Sequence, residues 1–372
     1  MRKIKGTYAQ ATVYSHTAED YALKQIEMIC NHEAAEGSRI AVMPDVHPGK
    51  VGPIGLTMTL GNKIMPNLLG VDIGCGVSYM KLKQTRIEYQ KLDTVIRENI
   101  PVGSRIRNTP HLRSRDVTFS DLLCQKHVSQ EKALQSLGTL GGGNHFIEVD
   151  RDEEGSLYVF VHSGSRRLGK EVTEHYLKEG ERALNAKGVR VPYEMTWLEG
   201  QLMEDYLHDV YEVQGFARRN REIILSELAK QMKWKTVQFG ESIHNYVDEN
   251  RILRKGAAPA YEDDEGIIPV NMRDGVILGV GKGNPAWNYS VPHGAGRIAD
   301  RVTARREHTV GEFKAATKGI YSSTVGIETL DEAPFAYRDI DEILEAIKET
   351  AEVKKILKPL YNYRAIERKE KR

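Results

Sequence analysis

Short apolar runs that end in glycine- or proline-rich loops recur along this chain, and several of these loops carry aspartate, cysteine or histidine. The loops lie between residues 45 and 297, and no internal repeat or low-complexity linker separates them. Strand and helix patterns alternate irregularly, without the regular strand–helix–strand rhythm of a parallel α/β sheet. We therefore predict an α+β fold, a single complex domain of mixed β-sheets flanked by helices over residues 1–372.

The composition is that of an ordinary folded protein. Hydrophobic residues make up 40% and charged residues 28% of the chain, so a sizeable core is expected and global disorder is not. A net charge of +1 creates no global field for nucleic acid, so a polyanion would need local basic patches. No signal peptide is recognisable, and no apolar run approaches a membrane span. The three widely spaced cysteines favour a reducing cytoplasm over a disulfide framework.

Hydrophobic periodicity predicts the main elements. Residues 18–36 have apolar positions at helical spacing, and residues 200–232 form the longest helical pattern. The run from Leu157 to His162 is typical of a buried strand, and a helix to about Lys187 follows it. On the long helix, residues 218–221 form a basic cluster that we interpret as a solvated face, with RNA contact as the alternative.

Two loops in the first quarter of the chain carry carboxylate, imidazole and thiol groups. The buried-strand pattern Ile40–Met43 ends in Asp45 and His47, a typical place for chemistry, although a polar turn would look the same. Asp72 and Cys75 lie among glycines before another strand. A carboxylate and a thiolate on one loop could hold a metal ion, whereas a buried cysteine is more often a small apolar residue.

Glycine-rich and Ser-Gly segments supply the next concentration of polar groups. Three successive glycines precede the segment Asn144–Glu148, and their N–H groups could surround a phosphate; a flexible hairpin would have the same composition. The strand that ends at His162 runs through a Ser-Gly turn into a helix, which is a natural anion site. Arg166 adds charge there, while an ordinary helix cap by Ser165 is the alternative.

A histidine on a proline–glycine turn is the most distinctive feature. His293 stands between Pro292 and a Gly-Ala-Gly run that ends at Arg297. Proline fixes its own φ and the glycines allow a sharp turn, so the imidazole can point into a pocket. Arg297 could bind a phosphate in a bidentate fork. An incidental histidine in a tight surface loop is the alternative, but four other histidines occupy similarly punctuated loops.

Together, these loops offer more metal ligands than one tetrahedral ion needs. The candidates are one carboxylate, one thiolate and three imidazoles, from Asp72, Cys75, His145, His162 and His244. A thiolate that bridges two ions would use all five and leave His293 free to attack phosphorus. Two divalent ions beside it would neutralise a triphosphate and help pyrophosphate leave. By ligand softness alone, imidazoles and a thiolate favour zinc.

Six motifs, in one order over most of the chain, resemble those of the RtcB-type RNA ligases, in particular their short bacterial branch. The matching stretches are Pro44-Asp45-Val46-His47, Asp72-Ile73-Gly74-Cys75-Gly76, Gly142-Gly143-Asn144-His145-Phe146, His162-Ser163-Gly164-Ser165-Arg166, His244-Asn245-Tyr246 and His293-Gly294-Ala295-Gly296-Arg297. The resemblance implies an RtcB-like α+β fold and a ligase that needs GTP and two Mn²⁺ ions per active site.

The reaction implied by the resemblance joins RNA ends bearing a 3′-phosphate or 2′,3′-cyclic phosphate to 5′-hydroxyl ends. It would proceed through a guanylylated His293 and an RNA-(3′)pp(5′)G intermediate, in RNA repair or tRNA splicing. A helper or release-factor-like partner is not identified by the sequence.

The resemblance also implies roles for individual residues. The metal ligands would be Asp72, Cys75, His145, His162 and His244, with Cys75 between two ions. Asp45 would orient His293, and Arg166 and Arg297 would contact phosphates. The residues that match the guanylate-binding segments are Asn144, His145, Phe146, Ile147, Glu148, His244, Asn245, Asn271, Met272, His293, Gly294, Ala295, Gly296 and Arg364.

Two departures from the family pattern bear on the nucleotide. Longer members have a Gly-Ser-Met-Gly loop in the guanine site where this chain has Val270-Asn271-Met272-Arg273, and they end in a Lys-Gly whose lysine contacts guanine. This chain has Arg364 instead and continues as a basic tail to Arg372, whose last residues we expect to fray. Arg364 could replace the lysine, which leaves the nucleotide preference open.

Two other classes of protein fit the same residues. A binuclear metal-dependent phosphohydrolase, acting on nucleotide or RNA phosphates, would use a metal-bound hydroxide as nucleophile, and His293 would only bind substrate. A non-enzymatic RNA-repair accessory would keep the fold without turnover. His293 on its proline–glycine turn, beside a complete ligand set, favours the ligase over both.

Overall fold

Two large β-sheets, two short ladders and a set of helices form the fold. A computed structural model describes residues 1–366. Its strands, in chain order, are β1 (Arg2–Lys5), β2 (Gln10–Val13), β3 (Arg39–His47), β4 (Ile54–Thr59), β5 (Lys63–Ile64), β6 (Gly76–Leu82), β7 (Phe146–Arg151), β8 (Leu157–Ser163), β9 (Leu198–Glu199), β10 (Thr236–Ile243), β11 (Asn245–Val247), β12 (Ile252–Lys255), β13 (Ala257–Pro259), β14 (Glu265–Asn271), β15 (Gly275–Gly281), β16 (Ser290–Pro292) and β17 (Ala351–Arg364). Its helices are α1 (Asp20–Cys30), α2 (Pro66–Leu69), α3 (Tyr89–Asn99), α4 (Gln130–Ser136), α5 (Arg166–Ala186), α6 (Gly200–Met232), α7 (Arg301–Glu307), α8 (Val310–Ala316) and α9 (Ile340–Ala346). The predicted α+β class is confirmed.

The first sheet has six strands in the order β1-β2-β3-β4-β12-β11. It is mixed, because β2 and β3 run parallel while the other neighbours are antiparallel. Helix α1 buries Ala22, Ile26 and Ile29 in the same hydrophobic cluster as this sheet. The helix is shorter than the predicted 18–36, because a separate 3₁₀ turn, Glu33–Ala35, follows it.

Strand β3 is longer than the apolar run that predicted it. The run Ile40–Met43 continues through Pro44 to His47 as one strand. Asp45 therefore lies in a strand and is fully buried, so the alternative of a polar surface turn is wrong. A buried carboxylate needs a hydrogen-bond or charge partner, so we expect a polar or cationic group to face Asp45.

The second sheet has seven strands in the order β10-β6-β8-β7-β17-β15-β14, and every neighbouring pair is antiparallel. It curls so that its edge strands approach each other, and Tyr79 Oη on β6 donates to Glu265 Oε1 on β14 at 2.7 Å. One face packs under α3 and α6, and the other holds an aromatic cluster that includes Phe146, Tyr158 and Phe160. This second face carries one wall of the site described below.

Helix α6 has the predicted bounds, Gly200–Met232, but its basic cluster is not a solvated face. Asn220 and Arg221 are fully buried, and only Arg218 and Arg219 remain partly or largely exposed. The helix packs against β6 and β8 on one side and α5 on another, so the surface that carries Asn220 and Arg221 is not exposed to solvent.

Strand β17 includes the first residue of the predicted basic tail. Arg364, the first residue of that predicted tail, lies in the strand opposite Phe146 of β7 and is 5% exposed. Residues 367–372, to which the predicted fraying applies, lie outside the described part of the chain. Among the helices of the described residues, none is long and apolar enough to cross a membrane.

Candidate active site

Four potential metal ligands meet at one end of the second sheet because of its register. They are Cys75, before β6; His145, before β7; His162, near the end of β8; and His244, after β10. The antiparallel ladders align the start of β6 with the ends of β8 and β10, and the start of β7 with the end of β8. Residues far apart in sequence are thereby brought to one edge.

The four side chains and Asp72 form a compact cluster. Cys75 Sγ lies 3.3 Å from His162 Nε2 and 3.5 Å from His145 Nε2. His145 Nε2 lies 3.2 Å from Asp72 Oδ2, and His162 Nε2 lies 3.2 Å from His244 Nε2. Two groups of three donors result, Asp72/Cys75/His145 and Cys75/His162/His244, and within each group the donor atoms lie within 4.8 Å of one another. Cys75 belongs to both groups.

Backbone carbonyls orient two of the imidazoles. His145 Nδ1 lies 2.8 Å from Leu140 O, and His162 Nδ1 lies 3.3 Å from Asn144 O. A ring N–H donated to a carbonyl leaves the lone pair on Nε2, which faces the cluster. Burial, reinforced by neighbouring histidines, lowers the pKa of His162 and of His244 well below the ordinary value. Both rings are thus neutral, which is the form that binds metal.

The donor set fits two cations that share one sulfur. Burial, with the neighbouring charge of Asp72, raises the pKa of the Cys75 thiol well above its ordinary value. The sulfur therefore keeps its proton unless a cation displaces it and binds the thiolate. One carboxylate, one thiolate and three imidazoles in two overlapping triads suit a pair of divalent ions better than one tetrahedral ion.

Two buried side chains of α6 hold the ligand loops. Arg221 Nη1 donates to Gly74 O and Ser163 O, both at 2.8 Å. Asn220 Nδ2 donates to Gly164 O at 3.2 Å and to Ser163 Oγ at 3.0 Å. These acceptors are next to the sulfur ligand and one imidazole ligand in the chain, so α6 fixes the positions of both loops.

His293 is oriented by the buried carboxylate of β3. Its Nδ1 lies 2.7 Å from Asp45 Oδ2, and its ring centroid lies 5.0 Å from that of His244. Gly296 has φ +70, and a Cβ there would lie 2.3 Å from Asp45 O, so only glycine allows the turn to sit this close to β3. With Nδ1 engaged by Asp45, Nε2 is the nitrogen that has a free lone pair.

A cavity of about 380 Å³ opens onto His293. Its lining includes most of the residues predicted to contact a nucleotide or phosphate: Asn144, Phe146, Glu148, His244, Asn271, His293, Gly294, Ala295, Gly296, Arg297 and Arg364. The wall also contains Glu19, Asp300, Arg301 and Tyr337, which the sequence did not single out.

At one end of the cavity, an acidic and a cationic side chain lie beside an aromatic ring. The Arg364 guanidinium carbon lies 4.5 Å from the centroid of the Phe146 ring. Glu148 points from the same face of β7 as Phe146, and Asn362 of β17 donates its amide to it. Arg364 attracts the Glu148 charge. This end therefore offers hydrogen-bond acceptors and donors side by side.

The family model described as tRNA-splicing ligase RtcB matches residues 25–126 and 114–365, which is most of the chain. The chain belongs to the RtcB family. RNA-splicing ligase RtcB of Escherichia coli strain K12 is 30% identical, over 84% of this chain and 87% of its own length. The tRNA-splicing ligases RtcB of Pyrobaculum aerophilum and Aeropyrum pernix are 27% and 28% identical, over 85% and 82% of this chain and 85% and 83% of theirs. The family is one of RNA ligases.

Four residues predicted to bind guanylate do not line the cavity of this RtcB protein. His145 lies in the ligand cluster, and Asn245 donates its amide to Asp72 O at 3.2 Å. The side chains of Ile147 and Met272 are fully buried in hydrophobic clusters. Ile147 follows the cavity-facing Phe146 along β7 and so points the other way, whereas Met272 lies in the turn after β14. Only their backbone groups remain for a ligand.

The two arginines that the RtcB resemblance assigns to phosphates are engaged within the protein. Arg166 is half-buried, donates to Gly103 O at 3.1 Å and does not line the cavity. Arg297 lines the cavity but donates to Asp331 O at 2.5 Å and to Glu332 Oε1 at 3.3 Å. A phosphate would have to compete with these partners for either guanidinium.

Two residues near His293 have no assigned role in the sequence prediction. His47 Nδ1 lies 2.9 Å from Asp45 O, and burial lowers the pKa of His47 to about 4, so its ring is neutral. Arg338 is buried and donates to Val46 O at 3.2 Å and Arg297 O at 3.4 Å, which joins β3 to the histidine turn. No periodicity in the sequence marks the burial of Arg338.

Proposed function

We propose that this protein is a GTP- and Mn²⁺-dependent RNA ligase that joins 3′-phosphate or 2′,3′-cyclic phosphate ends to 5′-hydroxyl ends. One observation carries the proposal: His293 lies 2.7 Å from buried Asp45 and beside a cluster with two overlapping sets of metal donors. A hydrolase that uses a metal-bound hydroxide needs the cluster, but it does not need a histidine oriented by a buried carboxylate.

The chemistry follows from the orientation of His293. Nδ1–H donates to Asp45, so Nε2 attacks the α-phosphorus of GTP while the bond to pyrophosphate breaks. An oxygen of the RNA 3′-phosphate then attacks the same phosphorus, and the P–N bond breaks to give RNA-(3′)pp(5′)G. The 5′-hydroxyl oxygen finally attacks the RNA phosphorus, loses its proton and displaces GMP. A cyclic phosphate is first opened by hydrolysis.

Two cations would be held by Asp72, Cys75, His145, His162 and His244. They would supply neutralisation of phosphate charge and stabilisation of the leaving oxygen. The family resemblance favours Mn²⁺, whereas the softness of this donor set favours Zn²⁺. We expect Zn²⁺ to compete for the site.

In this proposal, guanine binds at the end of the cavity formed by Glu148 and Arg364. The Glu148 carboxylate accepts from the ring N–H and amino donors of guanine, and the Arg364 guanidinium donates to its carbonyl oxygen or ring nitrogen. Adenine lacks the ring N–H that the carboxylate needs. Arg364 thereby takes the role that lysine has in the longer family members.

The substrates would be cleaved or spliced RNAs, and we place the reaction in the reducing cytoplasm. Cys75 must stay reduced to bind metal as a thiolate, and Cys30, Cys75 and Cys124 are all free in the structure. Repair of broken tRNA or rRNA and tRNA splicing use the same ends and the same chemistry.

Incubation of the protein with α-labelled GTP and Mn²⁺, followed by a denaturing gel, tests the proposal. We expect an acid-labile label on the wild-type protein, since a phosphoramidate is cleaved by acid. We expect no label on His293→Ala. A matched control is His127→Ala, because His127 lies outside the cavity and the ligand cluster and should leave labelling unchanged.

Other outcomes would change the assignment. A label from ATP but not from GTP would mean that the Glu148–Arg364 end selects adenine. No label from any nucleotide, together with metal-dependent release of phosphate, would replace the ligase with the binuclear phosphohydrolase.

A further inference from the structure

Asp150 is a buried carboxyl group that the proposed reaction does not use. It lies two residues after Glu148 on β7, so both side chains are on the same face of the second sheet. Asp150 is fully buried, and neither of its oxygens accepts a hydrogen bond from an N–H or O–H donor of the described residues. Because alternate residues of a strand are neighbours on one face, its carboxyl group lies beside that of Glu148, whose charge acts on it.

Within residues 1–366, one cation faces this acid pair. Arg364 of β17 attracts both carboxyl groups, and Asn362 of the same strand donates to Glu148. Tyr158 of β8 is opposite Asp150, but its hydroxyl donates to Asp152 at 3.2 Å. The nearby lysines are engaged elsewhere: Lys355 binds Asp152 and Glu154, and Lys81 lies over the Tyr158 ring. The remaining surroundings are apolar.

Two neighbouring buried carboxyl groups, with one cation and apolar surroundings, do not both ionise. We propose that Asp150 is protonated and donates a hydrogen bond to the Glu148 carboxylate. Glu148 then presents a single negative charge, balanced by Arg364, to the base of the nucleotide. Burial raises the pKa of Glu148 to about 7 and raises the pKa of Asp150 well above its ordinary value, the latter helped by the Glu148 charge. Both directions agree with one shared proton.

Asp150 is therefore a positioning residue for base recognition, which rests on the proposed guanine site. A donated proton stabilises the Glu148 carboxylate and keeps it an acceptor near neutral pH. Without that donor, Glu148 would take up a proton at higher pH and would lose the acceptor that guanine requires. Guanosine affinity should then rise with pH through the titration of Glu148.

Binding of guanosine to the purified protein, without metal, from about pH 5.5 to about pH 8.5 measures this effect. Guanosine has no phosphate and no group that titrates in this range. Asp150→Asn keeps an N–H donor, so its pH midpoint should match that of the wild type. Asp150→Leu removes the donor and should shift the midpoint upward by about one unit, which weakens binding about tenfold below the midpoint and restores it at the alkaline end.

Comparison of Asp150→Asn with Asp150→Leu separates a hydrogen-bond donor role of Asp150 from a packing role. A wild-type midpoint in Asp150→Leu, or an upward shift in Asp150→Asn, would overturn the proposal. If Asp150→Leu does not fold, Asp150→Asn alone decides, because an ionised Asp150 would make its midpoint lower than that of the wild type. Guanosine binding with no effect of Asp150 refutes only this inference, whereas no guanosine binding at any pH refutes the guanine site as well.

Discussion

At the scale of single residues, the position of Asp72, a proposed metal ligand, depends on a glycine from another loop. A Cβ added at Gly164 would lie 2.0 Å from Asp72 Oδ1, and Gly164 does not have a positive φ. Glycine is required there for space and not for conformation. The Ser-Gly turn that the sequence suggested as an anion site therefore also makes room for the Asp72 carboxylate.

Gly164→Ala should displace the Asp72 carboxylate and weaken Mn²⁺ binding by about ten- to a hundredfold, as disturbance of groups around a metal ligand generally does. Calorimetric titration with Mn²⁺ measures it. Gly215→Ala is the control: a Cβ at Gly215 meets nothing within 4 Å, so it should leave binding unchanged and stabilise α6 by about 0.5–1 kcal/mol. Wild-type affinity in Gly164→Ala would contradict the assigned position of Asp72.

The Asp45 carboxylate should matter for reaction rate and not for nucleotide binding. Asp45→Asn removes the charge that faces His293 Nδ1 at 2.7 Å, so the developing positive charge on the ring loses its partner. We expect labelling from α-labelled GTP to slow by at least about a hundredfold. Guanosine affinity, measured on the same preparation, should be unchanged, because Asp45 does not line the cavity. Equal labelling rates would exclude an orienting role.

At the scale of elements, α6 connects the ligand loops to the core. Arg221 has an exposure of 0%, and it donates to two loop carbonyls, to Ser78 Oγ at 2.9 Å and to Glu241 Oε2 at 2.8 Å. A buried guanidinium that satisfies several acceptors leaves all of them unpaired when it is removed.

Arg221→Met should lower the free energy of unfolding by about 3–5 kcal/mol, the usual cost of breaking a buried charged pair. Arg218→Met is the control on the same helix: its side chain is 58% exposed and its surface pairs are worth less than about 1 kcal/mol. Urea denaturation of both variants measures the difference. Equal midpoints would show that the Arg221 network does not stabilise the fold.

The same helix shows what sequence reasoning could find. Its apolar stripe predicted the bounds Gly200–Met232, because periodicity is a local property. The burial of Arg221 was not predictable, because a charged residue is by default solvated and its acceptors lie on loops up to about 150 residues away. Arg364 was misplaced in a tail for the same reason: the pairing of β17 with β7 is a long-range contact.

At the scale of the whole molecule, the ligands come from loops between residues 72 and 244 and meet through the register of one sheet. Glycines mark the loops that carry Asp72, Cys75, His145 and His162, and His244 stands beside a polar residue, so the ligand set could be proposed from the sequence. The sharing of Cys75 by two ions was part of the same prediction. Which other side chains join each triad could not be predicted, since strand order in an antiparallel sheet is not encoded in any single motif.

Metal should therefore stabilise the entire fold. A ligand that binds only the native state at a hundred times its Kd adds about 2.7 kcal/mol, so Mn²⁺ should raise Tm by a few degrees and a chelator should reverse this. Cys75→Ala, which removes the shared donor, should abolish the response because it affects both triads. Cys124→Ala, at a buried cysteine outside both triads, should retain it. Thermal unfolding with and without Mn²⁺ separates these cases, and a Cys75→Ala protein that still gains stability from Mn²⁺ would place the ions elsewhere.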